Sequence, residues 1–210
     1  YAGDLKGNMW KFDLTAATPA SWGVAYKTGA TNRPLFITEA PDGTAQPITA
    51  KPAVGRHPAG GVMVLFGTGK YMEPTDRIVP ASPQVQTFYG IHDEGSRVTG
   101  GRSALKQQKV VVEVSEFGFD LRLTTNYAPG PADHGWFMDL PTAGERQVSR
   151  PVLRDGRIIF TTLIPNTDIC SFGGTSWLME LDAITGSRLK ETPFDLNGDG
   201  RLDVAGVDGA

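Results

Sequence analysis

The stretch from Gly144 to Gly186, GERQVSRPVLRDGRIIFTTLIPNTDICSFGGTSWLMELDAITG, holds three extended runs separated by turns. Gln147–Leu153 is the first, with Arg150-Pro151 near its end. The Asp155-Gly156 turn leads to Arg157–Ile164, rich in β-branched and aromatic residues. In the last run, Trp177–Ala183, residues Trp177, Met179 and Leu181 fall on one face and Glu180 and Asp182 on the other. That period of two marks a half-buried strand. Thr185-Gly186 then turns the chain. Such a meander cannot bury its apolar face alone and needs neighbouring copies.

Copies are present. Phe12-Asp13 of NMWKFDL has the pattern of Leu181-Asp182, with Trp10 in the place of Met179. FYGIHDE (Phe88–Glu94) and GWFMDL (Gly135–Leu140) put Ile91 and Met138 in the place of Leu181. VMVLFGTG (Val62–Gly69) matches RIIFTTLI, and ITAKPAV (Ile48–Val54) matches QVSRPVL. Ile91 to Met138 is 47 positions and Met138 to Leu181 is 43, near the roughly 40–50 residues of a propeller blade. Phe12 to Ile91 spans 79, so an insertion or a further blade lies there. The pattern predicts an all-β chain. It is a partial, modified β-propeller of three to four blade-like antiparallel sheets, with units near 1–33, 34–94, 95–145 and 146–210.

Composition agrees. The 26 glycines and 15 prolines punctuate many short strands. One helical turn is expected, around Arg102–Gln108. A net charge of −3 without a basic block disfavours a nucleic-acid binder. No apolar run approaches the roughly 18 residues of a membrane span. Tyr1 enters directly into a strand pattern and Ala210 ends in mid-pattern, which reads as a segment of a longer protein. An open propeller leaves unsealed strand edges, so self-association is expected.

DLNGDGRLD (Asp195–Asp203) is the strongest chemical signal. Asp195, Asn197 and Asp199 stand two apart, Gly200 permits a sharp turn, Arg201 offers its carbonyl and Asp203 closes the set. Calcium wants six to eight oxygens, and such a loop can wrap it. The helix-loop-helix version requires Glu at loop position twelve, where this chain has Gly206. The spacing therefore points to a short calcium loop in a β context, or else to a solvated Gly/Asp-rich turn.

Other residues read as structural. Cys170, the single cysteine, is a buried apolar residue or a half-cystine with a partner outside this chain. His57, His92 and His134 lie in separate loops or strand ends, show no zinc-ligand spacing, and read as surface or turn residues. Asp93-Glu94 reads as a solvated strand end, and Asp4, Gly7 and Asn8 as turn chemistry or a weak ion site. The four tryptophans read as core. No convergent acid, base and nucleophile set is visible, so no catalysis is expected.

Together, YAGDLKGNMWKFDL, VLFGTGKYM, QTFYGI, GERQVSRPVLRDGRIIFTTLIP, CSFGGTSWLMELDAITG and FDLNGDGRLD resemble the C-terminal region of the PilC/PilY family of type IV pilus biogenesis factors. The resemblance implies a modified quinoprotein-type propeller in a secreted protein at or near the pilus tip. It implies partners among minor pilins and host or abiotic surfaces, and roles in pilus assembly, in opposing retraction and in adhesion. It also implies calcium ligand roles for Asp195, Asn197, Asp199, Arg201 and Asp203. The family's regulatory calcium loop lies upstream of the YAGD strand, so this loop is either regulatory or structural. The integrin motif RGD of some members is absent from this chain.

Two other functions fit parts of the pattern. A quinone-cofactor dehydrogenase shares the blade pattern, but its vicinal Cys-Cys ring cannot be made from one cysteine. A calcium-stabilised adhesin outside the pilus system keeps the ion site and loses only the pilus.

Overall fold

Among the described residues there are three sheets of three or more strands, and the middle one is covered on both faces. The computed structural model describes residues 1–116, 118–166, 173–190 and 195.

The middle sheet runs in the order Lys106–Gln108, Gly135–Asp139, Thr87–Asp93, Val62–Gly67, Ala53–Arg56. Its pairs are antiparallel except Lys106–Gln108 with Gly135–Asp139, which is parallel. Its three central strands, VMVLFG, TFYGIHD and GWFMD, are almost uniformly buried. Burial on both faces favours continuous apolar runs over alternation.

Met63, Leu65, Phe88, Trp136 and Met138 point to one side, against Ile158, Phe160, Met179 and Leu181. The Phe88 and Phe160 rings stack with centroids 3.9 Å apart across that layer. Val64, Phe66, Tyr89, Ile91 and Phe137 point to the other side, against Met9, Leu35 and Phe36. Each large apolar side chain buried this way contributes about 1.5–3 kcal/mol. Sheet stacking is therefore the main stabilising term.

The outer sheets are smaller. Ala2–Gly3, Asn8–Trp10 and Phe36–Ile37 form the first. Val152–Arg154, Arg157–Thr161 and Leu178–Asp182 form the last, with Arg154 opposite Arg157. Asp155 (φ 49°) and Gly156 (φ 76°) both take positive φ, the requirement of the tight turn that Asp-Gly predicts. Met179 and Leu181 are buried, as the alternation predicts. A separate hairpin, Val110–Glu116 with Phe119–Thr124, stands off the middle sheet.

The all-β, blade-like architecture agrees with the sequence pattern, but several details differ. FYGIHDE and GWFMDL, which the repeat puts in successive units, sit side by side in one sheet, Phe88 opposite Met138. Phe12, expected at the inward place of Leu181, is exposed, and Met9 takes the buried position. Phe12–Asp13 pairs instead with Gly23–Val24 in a two-stranded ribbon. Trp22, read as core, is 45% exposed and donates to the Ala16 carbonyl. The expected helical turn is a 3-10 turn at Gly101–Ala104 that feeds the parallel strand.

Trp136 is the centre of the larger core layer. Its indole N–H donates to the Ala183 carbonyl at 3.2 Å. Gly90 and Gly186 flank its ring so closely that a Cβ at either would lie 2.4 Å and 2.1 Å from ring atoms.

Candidate functional site

The strand Thr87–Asp93 ends on His92-Asp93-Glu94, where alternation sends neighbouring side chains to opposite faces. On the first-sheet side, Asp93 is buried and receives three side-chain donors besides the Gly95 backbone N–H at 2.9 Å. Tyr1 Oη and Tyr26 Oη each donate to it at 2.6 Å, and Lys11 Nζ lies 2.8 Å away. Burial opposes ionisation of Asp93, but hydrogen bonds from Lys11, Tyr1 and Tyr26 outweigh it and hold the carboxyl below the ordinary range. The same contacts raise the Tyr1 phenol, chiefly through burial. Asp93 is therefore a buried hub, not the solvated strand end read from sequence.

On the other side the three histidines converge; His57 lies in a turn and His134 is exposed, as read from sequence, whereas His92 is buried, which corrects its reading as a surface or turn residue. His92 is buried, and its ring stacks on His57 with centroids 3.7 Å apart. Glu94 bridges His92 Nδ1 at 3.5 Å and His134 Nδ1 at 3.3 Å. The Gly60 carbonyl can only accept, so His92 Nε2 donates to it at 2.8 Å. His57 Nδ1 accepts the Ala59 N–H at 3.1 Å, which requires a lone pair there. Burial, then the neighbouring His92, pushes the His57 pKa below its ordinary 6.5. His57 and His92 border a cleft of about 330 Å³ with Asp133, Pro129 and Ile184. Among the described residues no group of three or more such ligands is arranged to hold a metal ion.

Asp4 is fully engaged in its turn. Its carboxylate accepts from the Lys6 and Asn8 backbone N–H groups, the Asn8 amide and the Trp10 indole, each at 2.9 Å. That assigns Asp4 and Asn8 to turn chemistry.

Of the sequence-predicted calcium ligands, only Asp195 is among the described residues; Asn197, Asp199, Arg201 and Asp203 lie outside them, as does Cys170. The described chain leading toward the loop is well anchored. Asp182 accepts from the Ile184 and Thr185 N–H groups, and Arg188 N donates to the Thr125 carbonyl at 3.1 Å.

Sequence reading missed the histidine cluster and the Asp93 hub because their members come from positions 35 to 92 residues apart. No local spacing encodes them.

A profile of the PilY1 beta-propeller domain matches residues 1–117. A "Type IV pilus biogenesis factor PilY1 homolog" of Xylella fastidiosa is 39% identical over 89% of this chain and 13% of its own length. The "Type IV pilus biogenesis factor PilY1" of Pseudomonas aeruginosa is 34% identical over 97% of this chain and 21% of its own. The chain thus spans about one eighth to one fifth of these relatives. The crystal structure of the P. aeruginosa PilY1 C-terminal domain superposes with a TM-score of 0.83 at 30% identity, over 97% of this chain and 47% of that one. These matches agree with the resemblance drawn from the motifs: the chain belongs to the PilY1 β-propeller family.

Proposed function

We propose that this chain is a calcium-binding, non-enzymatic propeller segment of a type IV pilus biogenesis factor. On this reading its parent is secreted to the cell surface, supports pilus assembly, opposes retraction and aids attachment. The observation that carries it is the loop Asp195–Asp203, in a chain whose relatives are named as pilus biogenesis factors. Asp195, Asn197, Asp199 and Asp203 offer side-chain oxygens, and Arg201 offers its carbonyl. Without an ion, the three carboxylates repel one another across a nine-residue loop. Calcium offsets that charge and ties the segment after Ser187 to the chain beyond Asp203. Minor pilins of the pilus tip and the contacted surface are the proposed partners, and open sheet edges offer a route to self-association.

The test is a thermal melt with calcium, magnesium or chelator, run on the native chain and on Asp199→Ala. At a hundredfold excess over Kd, calcium adds roughly 3 kcal/mol to the native chain. Magnesium substitutes poorly because it demands tighter octahedral geometry. A melting temperature indifferent to calcium would reduce the loop to a polar turn. Surface pilus counts in cells carrying Asp199→Ala in the parent protein then test the link to assembly.

A further inference from the structure

The projecting hairpin, Val110–Glu116 with Phe119–Thr124, docks on the body by its polar face and turns its apolar face outward. Its register sets Val112 opposite Leu123, Val114 opposite Leu121 and Glu116 opposite Phe119. Directly opposed residues share a face. Glu113 opposite Arg122 and Ser115 opposite Asp120 make the other face.

The docked face is the polar one. The Arg122 side chain is 2% exposed, pairs with Glu113 and Glu145 and stacks on the Trp177 ring. On the outward face Val112 is 41%, Val114 39% and Phe119 55% exposed, with Leu121 and Leu123 half-buried. The same alternation in Leu178–Asp182 buries its apolar residues, Met179 at 4% and Leu181 at 2%. An antiparallel pair ordinarily packs its apolar face and solvates the polar one. The reversal here leaves a contiguous apolar face without a covering layer, which marks an interaction surface.

The charges at its two ends point to what covers it. Thr125 N–H donates to the Lys109 carbonyl at 2.9 Å, so Lys109 stands opposite Thr125, two residues beyond Leu123 and on the same face. Lys109 is therefore at the root of the apolar face, and Glu116 is at its tip beside Phe119. Both are exposed, and neither has an ion-pair partner among the described residues. From root to tip the face reads positive, apolar, negative. A two-fold axis through its middle lays the tip of one copy over the root of another. Glu116 then meets Lys109 twice, with the apolar side chains between, and closed two-fold contacts need this self-complementarity. An anionic lipid surface fits worse, because Glu116 and Asp120 would lead the tip into it.

We propose that this face is a dimer interface between two copies of the chain, with the two hairpins packed face to face, tip on root. The contact is a sheet face rather than an open edge, and it does not depend on the calcium loop. A patch of this size gives a weak dimer, with Kd on the order of 10 μM to 1 mM.

The test is sedimentation equilibrium of the chain from about 10 μM to 2 mM. A monomer–dimer equilibrium is expected. Lys109→Glu or Glu116→Lys alone brings like charges together at two symmetry-related places and weakens the dimer about tenfold or more. Combining the two reversals restores affinity to within about threefold of the native chain. Phe119→Ser weakens it about tenfold. These positions are exposed, so the variants keep the fold. A chain that stays monomeric throughout, a dimer indifferent to the single reversals, or a double reversal that fails to restore it overturns the proposal. So does a monomer that instead co-sediments with phosphatidylcholine–phosphatidylglycerol vesicles, which assigns the face to a membrane.

Discussion

The imidazole rings of His57 and His92 stack 3.7 Å apart and 29° from parallel, with Glu94 beside His92 and His134. His57 is held neutral by burial and by accepting the Ala59 N–H. Its folded pKa lies below 6.5, so its contribution to stability is complete above about pH 6.5 and is lost as pH falls through the folded value. Glu94, His134 and Asp133 are the other titratable groups of the cluster. Thermal melts across this range should show a loss on acidification that His57→Phe, which keeps the stacked ring, makes shallower. An unchanged acid limb in His57→Phe would exclude His57 as its source.

Asp93 ties the first sheet to the middle one through Lys11, Tyr1 and Tyr26. Asp93→Asn keeps the shape but removes the charge beside a largely enclosed Lys11. The expected loss is about 2–3 kcal/mol in denaturant unfolding. The native carboxyl titrates below its ordinary 3.8, so the stability it adds is present above that value and is lost as pH falls through the folded one. Asp93→Asn should therefore also be flatter than the native chain on the acid side.

Arg122 ties the projecting hairpin to the Thr142–Glu145 turn and to Trp177, just before the strand Leu178–Asp182. Its guanidinium pairs with both oxygens of Glu145 at 2.6 Å and 2.9 Å, and lies 4.1 Å from the centre of the Trp177 ring. Both charged side chains are almost fully buried. Lysine has neither the planar fork nor the stacking face, so Arg122→Lys should cost about 2 kcal/mol by chemical denaturation. A near-native midpoint would mean that the pair is not needed to dock the hairpin.

Gly186 has φ 67° and touches Trp136, whereas Gly156 has φ 76° and open space around it. Gly156→Ala should cost about 1 kcal/mol, for backbone strain alone. Gly186→Ala adds collision with the indole and should cost about 3 kcal/mol. Gly90→Ala, without the strain, should fall between them. Equal midpoints for the Gly156 and Gly186 variants would show that Trp136 moves aside freely.

The sequence by itself determined the strand content, the Asp155-Gly156 turn, the buried face of Leu178–Asp182 and the family, because period, turn chemistry and local motifs are properties of neighbouring residues. The proposed calcium loop at Asp195, Asn197, Asp199, Arg201 and Asp203 rests on spacing alone, and all of these but Asp195 lie outside the described residues. Only the tertiary structure decided which strands share a sheet. Phe88 and Met138 have similar surroundings in the sequence, and the pairing that puts them side by side depends on long-range closure. Stacking of the sheets then decided that Asp93 is buried and that His57, His92 and His134 meet. These contacts join residues far apart in the chain, so they exist only once the apolar faces have been brought together.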